Sequence, residues 1–166
     1  MKLRLSDGLG GISGGSWITL IDTIVANSGR GGDCDAPVAS NGHNLSSDGT
    51  CFASGTDLSN IPPGLAQPAN YGGPTETLAL CTGPGVPDSS CAGASPAIDA
   101  GDDSVTGPPD NLTTDQRGRP RLSGAHVDIG AYEVQHTLPS EVRETMSGAP
   151  SPFISSATIP STVGSG

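Results

Sequence analysis

Glycine and proline decide more about this chain than any other residue types. The 166 residues contain 25 Gly and 15 Pro, 40 in all, spread so densely that no long helix can run between them. A coiled coil or helical bundle is therefore excluded. Hydrophobic residues make up 33% and aromatic residues 3%, so the core is lean and most of the chain is committed to turns. The length suits one ordinary domain or the end piece of a longer one.

Charge narrows the partners. Seven basic against 17 acidic residues leave a net charge of −10, opposite to what grips a phosphate backbone. Nucleic acid and anionic membrane surfaces are excluded as expected partners. Membrane insertion is not expected either: the most apolar stretch, residues 17–26, spans ten residues and is interrupted by Thr19, Asp22 and Thr23, against about 20 for a spanning helix. The N-terminal Met1-Lys2-Leu3-Arg4-Leu5-Ser6-Asp7-Gly8 lacks the apolar run of a secretory signal. Met1 reads as an internal start or as the beginning of a fragment whose export signal lies upstream.

The four cysteines fall into two local pairs, Cys34 with Cys51 and Cys81 with Cys91. Neither pair has the spacing of a zinc site or of a redox C-x-x-C. Two loop disulfides are expected, which places the chain in an oxidising compartment, extracellular or at the cell surface. The alternative is four unconnected thiols.

Residues 1–16 form a Gly-rich lead-in, compatible with the interior of a longer chain. Residues 17–134 form the module, and 135–166 a Pro/Ser/Thr-rich tail. Within the module, Ser16-Trp17-Ile18-Thr19-Leu20-Ile21-Asp22-Thr23-Ile24-Val25-Ala26 predicts a strand ending in an Asn-Ser-Gly turn. Pro74-Thr75-Glu76-Thr77-Leu78-Ala79-Leu80-Cys81 predicts a short strand with Leu78 and Leu80 on one face. Val127-Asp128-Ile129-Gly130-Ala131-Tyr132-Glu133-Val134 predicts a third. Short strands and sharp turns suit a parallel β-helix, and a sandwich or irregular β domain stays open.

A set of blocks adds a family resemblance. Ile24-Val25-Ala26-Asn27-Ser28, Gly42-His43-Asn44-Leu45-Ser46-Ser47-Asp48-Gly49-Thr50-Cys51, Tyr71-Gly72-Gly73-Pro74-Thr75, Ser95-Pro96-Ala97-Ile98-Asp99-Ala100-Gly101-Asp102, Thr114-Asp115-Gln116-Arg117-Gly118-Arg119-Pro120-Arg121 and Val127-Asp128-Ile129-Gly130-Ala131-Tyr132-Glu133 together resemble the C-terminal part of bacterial surface β-helix proteins of the choice-of-anchor Q type. The resemblance covers residues 17–134. It implies an all-β chain, the terminus of a right-handed parallel β-helix with long irregular loops, exported and without a single defined activity. Similar closing blocks occur in some polysaccharide lyases, whose catalytic groups lie on upstream coils.

Candidate chemistry centres on acids and arginines. Asp99, Asp102, Asp103, Asp115, Asp128 and Glu133 could act as paired carboxylates in glycoside cleavage, but Asp-Gly turns more commonly accept backbone N–H groups or hold calcium. Calcium is thus the candidate cofactor, with Asp99, Asp102 and Asp115 as its first ligands. Arg117 is expected to form a structural ion pair with Asp128 or Glu133 that pins the last strand, rather than to neutralise a uronate. Gly11-Ile12-Ser13-Gly14-Gly15 matches the letters of a nucleophile elbow without its strand-to-helix context, and His43, His126 and His136 have no ligand or triad spacing. Asn44-Leu45-Ser46 and Asn111-Leu112-Thr113 are glycosylation sequons. Trp17, Tyr71 and Tyr132 could stack on sugar or pack the coils.

The leading expectation is a non-catalytic structural or adhesive module of an exported bacterial surface protein, with cell-surface components or carbohydrate as partners. One alternative is the tail of a β-helix polysaccharide lyase or hydrolase. Another is a self-associating fibre subunit that donates a C-terminal segment carrying Phe153-Ile154 and Thr158-Ile159.

Overall fold

The computed structural model describes residues 11–13, 17–29, 31–52 and 55–136. The first ten residues and the tail from 137 onward, including Phe153, Ile154, Thr158 and Ile159, lie outside them. The described residues are mostly non-helical. Their regular structure is five two-residue strands, β1 (Thr19–Leu20), β2 (Ile24–Val25), β3 (Ala39–Ser40), β4 (Leu45–Ser46) and β5 (Leu58–Ser59), and one 3₁₀ turn, Asp103–Thr106.

All strand pairings are parallel. β1 lies beside β3, and β2, β4 and β5 form a second small sheet in that order. Ile12 meets Cys34, Thr19 meets Ala39 and Ile24 meets Leu45, offsets of 22, 20 and 21 residues taken in chain order. Parallel neighbours need a long crossover; here the chain returns to its own side three times at nearly the same interval. Gly11 and Ile12 already take part, donating to the carbonyls of Gly32 and Asp33. The packed body therefore begins inside the segment expected as a lead-in.

The expected strand over residues 17–26 is broken in two. Asp22 adopts a positive φ of 46° and its carbonyl accepts the Gly130 N–H, while the Thr23 hydroxyl donates to the Ile21 carbonyl. The chain turns a corner there, and the β-branched run supplies both sides of it. The expected sharing of a face by Leu78 and Leu80 also fails. Leu80 is 2% exposed and Leu78 46%, because only isolated antiparallel bridges, Leu65 to Leu80 and Ala69 to Thr77, hold this segment and Ala79 turns inward beside Leu80. Residues 127–134 form no strand. Val127, Asp128 and Ile129 are all buried, so alternation does not separate an inner from an outer face; the Gly101 N–H donates to the Val127 carbonyl and the Ile129 N–H to the Ala97 carbonyl.

Three apolar clusters make up the core. Val25, Val38, Phe52 and the Cys34–Cys51 disulfide form the first, Leu45, Leu80, Ala97 and Ile129 the second, and Ala66, Ala79 and the Cys81–Cys91 disulfide the third. Both expected pairings are present. Their loops of 17 and 10 residues predict a stabilisation of about 2–4 kcal/mol each, a large share for a chain with so little apolar mass. Close packing leaves no room for side chains at some turns: at Gly64, with φ +60°, a Cβ would stand 2.8 Å from the Ser95 Cα. The two disulfides indicate an oxidising environment. No helix among the described residues is long and apolar enough to cross a membrane.

Candidate functional site

With few ladder hydrogen bonds available, buried polar side chains hold the loops. Asn44 is fully buried; its amide donates to the carbonyls of Leu20 and Gly42, to Ser40 Oγ and to Asp57 Oδ1, and its oxygen accepts the Thr23 N–H. This sequon asparagine ties four segments together and is inaccessible in the fold, whereas Asn111 of the second sequon is exposed. Asp33 organises a second set of turns in the same way, accepting from the Ser28, Ser47 and Asp48 N–H groups and from the Ser46 and Ser47 hydroxyls.

The closing blocks build the densest network. Asp115 Oδ1 accepts the N–H groups of Arg117 and Arg119 at 2.8 and 3.0 Å. Its Oδ2 accepts Arg117 Nε at 2.8 Å and the Glu133 N–H at 3.2 Å, with Arg117 Nη2 at 2.7 Å. The ion-pair partner of Arg117 is thus Asp115, not Asp128 or Glu133. The physical reason is the tight turn between them, closed by the Gly118 N–H on the Asp115 carbonyl, which curls the guanidinium back onto the nearest carboxylate. Arg117 still reaches the last segment through the Glu133 carbonyl, and its Cζ lies 3.6 Å from the centre of the Tyr132 ring. Tyr71 meets Tyr132 edge to face at 6.2 Å. Two of the three candidate sugar-stacking aromatics therefore pack this corner, and Trp17 is 94% exposed.

Asp128 and Glu133 are held from the other side by Arg121. Its Nη2 donates to the Asp128 carbonyl at 2.8 Å, and its Nη1 stands 3.7 Å from Glu133 Oε2. The Asp128 carboxylate accepts the N–H groups of Asp99 and Val134, and the Glu133 carboxylate those of Ser123 and Asp128. Burial pushes the Glu133 carboxyl up to about 7, helped by the nearby Asp128 and opposed by the N–H donors and Arg121; burial also raises Asp128.

A folded-state value above the unfolded one means that the native state holds the Glu133 proton more tightly. That contribution is complete below about 4.5 and is lost as pH rises through about 7, up to ~3 kcal/mol for a fully buried group. Urea unfolding of wild type and Glu133→Gln between pH 5 and pH 8 is expected to show wild type losing stability relative to the variant as pH rises. Parallel pH profiles would refute it. The lowered carboxylates, with Asp88 at about 2 through its hydrogen bonds to Ser90 and Gln67, lose their contribution only as pH falls through that lower range, outside this window.

Asp99, Asp102 and Asp115 do not share a site. Asp99 Oδ1 accepts the His126 N–H, Asp102 Oδ1 caps the 3₁₀ turn through the Ser104 N–H, and Asp115 is saturated as above. Among the described residues no three His, Cys, Asp or Glu side chains are grouped to hold a metal. The calcium expectation fails on geometry for this trio because each carboxylate is spent on a different turn. Ser13 donates to Asp35, while His43 Nδ1 contacts the Ala100 carbonyl and His126 Nδ1 contacts Asp103 Oδ2, so these residues do not assemble as a triad.

One cavity stands out. A groove of about 690 Å³ runs beside β2, lined by Ile21, Asp22, Thr23 and Ile24, by Leu65, Leu78, Leu80 and Leu112, and by Thr77 and Arg121. Asp22 Oδ2, Thr77 Oγ1 and Arg121 Nη1, all on lining residues, are buried without a hydrogen-bond partner. Sequence reading missed this groove, along with Asp33 and Asn44. No protein-family model, curated protein or solved structure matches the chain.

Proposed function

We propose that the chain is a non-catalytic structural or adhesive module of an exported bacterial surface protein, and that its body is the closing part of a right-handed parallel β-helix. The β-helix is supported by the three parallel contacts at offsets of 22, 20 and 21 residues, the interval of one three-sided coil stacked on the next. Export is supported by the two disulfides.

The observation that carries the non-catalytic reading is the direction of the acids. Asp115, Asp128 and Glu133, the carboxylates of the closing blocks, are buried and engaged by backbone N–H groups and arginines. A general acid must reach the bond it protonates; these face the interior of their own turns. Glu133 has the raised pKa of a proton donor and no exposure through which to use it.

The expected result is that residues 1–166 release neither reducing ends nor unsaturated products from alginate, pectin or chondroitin across pH 5–9. Product formation that survives purification and is lost in Asp115→Asn or Glu133→Gln, with the fold retained by circular dichroism, would overturn the assignment in favour of a lyase or hydrolase.

A further inference from the structure

We propose that the groove beside β2 receives an extended segment of a second copy of this chain, the run at residues 153–159, so that molecules join head to tail. β2 is the outermost strand of its sheet. The carbonyls of Thr23 and Val25 accept from Leu45 and Ser47 on the β4 side, and strand alternation turns the N–H and C=O of Ile24 toward the opposite edge. An open edge of this kind pairs with added strands.

The groove supplies what such a strand needs. Its leucines and isoleucines take apolar side chains, and two of them, Leu78 and Leu112, are about half exposed. The unpartnered atoms comprise an acceptor, Asp22 Oδ2, a donor, Arg121 Nη1, and the Thr77 hydroxyl, which does both. A polypeptide backbone carries both complementary groups, and leaving buried polar atoms unmet is costly.

The occupant follows from charge and composition. The body is acidic in a chain of net charge −10, whereas residues 145–166 contain no Asp, Glu, Lys or Arg, so this segment alone approaches without repulsion. Phe153-Ile154-Ser155-Ser156-Ala157-Thr158-Ile159 is rich in strand-forming residues and is bounded by Pro152 and Pro160, which stop pairing at either end. Phe153, Ala157 and Ile159 share one side of an extended chain. The inference goes beyond the structural-module reading and fails separately from it, since it predicts assembly and is silent on turnover.

Sedimentation velocity on the full chain over a range of concentrations tests it. Wild type is expected to assemble as concentration rises. A groove variant, Leu78→Ser with Leu112→Ser, and a tail variant, Phe153→Ser with Ile159→Ser, each weaken assembly about tenfold or more. Mixing the two variants restores one intact contact per pair and is expected to give dimers that grow no further. A synthetic peptide of residues 151–163 is expected to bind the tail variant saturably and not a protein carrying all four substitutions. A monomeric wild type, assembly indifferent to the groove substitutions, or peptide binding that Leu78→Ser and Leu112→Ser leave intact would each overturn the proposal.

Discussion

Asp33→Ala is expected to destabilise the chain by about 3–5 kcal/mol, enough to consume much of the stability of an ordinary domain. Asp33 is 1% exposed, and its carboxylate serves the Ser28, Ser47 and Asp48 N–H groups and two serine hydroxyls. Removing it leaves those donors in a space too tight for easy hydration, next to the Cys34–Cys51 disulfide and its small cluster. The effect should be local to this polar knot. Asp35→Ala, two residues away at an exposed position where the carboxylate meets only the Ser13 hydroxyl, is expected to change stability by less than about 0.5 kcal/mol. Urea unfolding of both variants under non-reducing conditions makes the comparison; equal, small losses would show that Asp33 is not a structural centre.

The second large effect is expected at Arg117. Its side chain and that of Asp115 are 4% and 0% exposed, so Arg117→Ala strands a buried carboxylate and is expected to cost about 3–5 kcal/mol, with the Tyr132 contact adding to the loss. A double-mutant cycle names the partner. Arg117→Ala and Asp115→Ala are expected to be strongly non-additive, whereas Arg117→Ala combined with Glu133→Gln should couple less, since Arg117 meets only the Glu133 main-chain carbonyl. Arg117→Lys is expected to recover little, because a single ammonium cannot direct two donors, as Nε and Nη2 do, onto Asp115 Oδ2. Strong coupling to Glu133 with additivity at Asp115 would reverse the assignment.

Arg117 is one of seven basic residues and sits between Asp115 and two further arginines, a clustering that marks it as structural from sequence alone. Its partner is not legible there, since Asp115, Asp128 and Glu133 are equal candidates until a turn brings one of them within reach. The 21-residue interval is legible and easily overlooked: Gly8, Gly10 and Gly11 recur as Gly29, Gly31 and Gly32, and Leu3, Ile24 and Leu45 follow the same offset. Asn44 and Asp33 are hidden differently. A polar residue in a Gly/Ser/Asp-rich stretch reads as exposed, and only the stacking of neighbouring segments turns it inward.

By itself the sequence determined the class and its staples. Dense Gly and Pro forbid long helices, and cysteines 17 and 10 residues apart can close local loops with almost any backbone between them, so both disulfides were predictable from spacing. The tertiary structure alone decided which acids are spent on which N–H groups, where the apolar run of residues 17–26 bends, and that Leu78 faces out while Leu80 faces in. The physical reason is the shortness of the elements. Two-residue strands impose almost no alternation of their own, so each side chain's direction is set by contacts with segments about twenty residues away or more, and those contacts exist only once the chain has closed on itself.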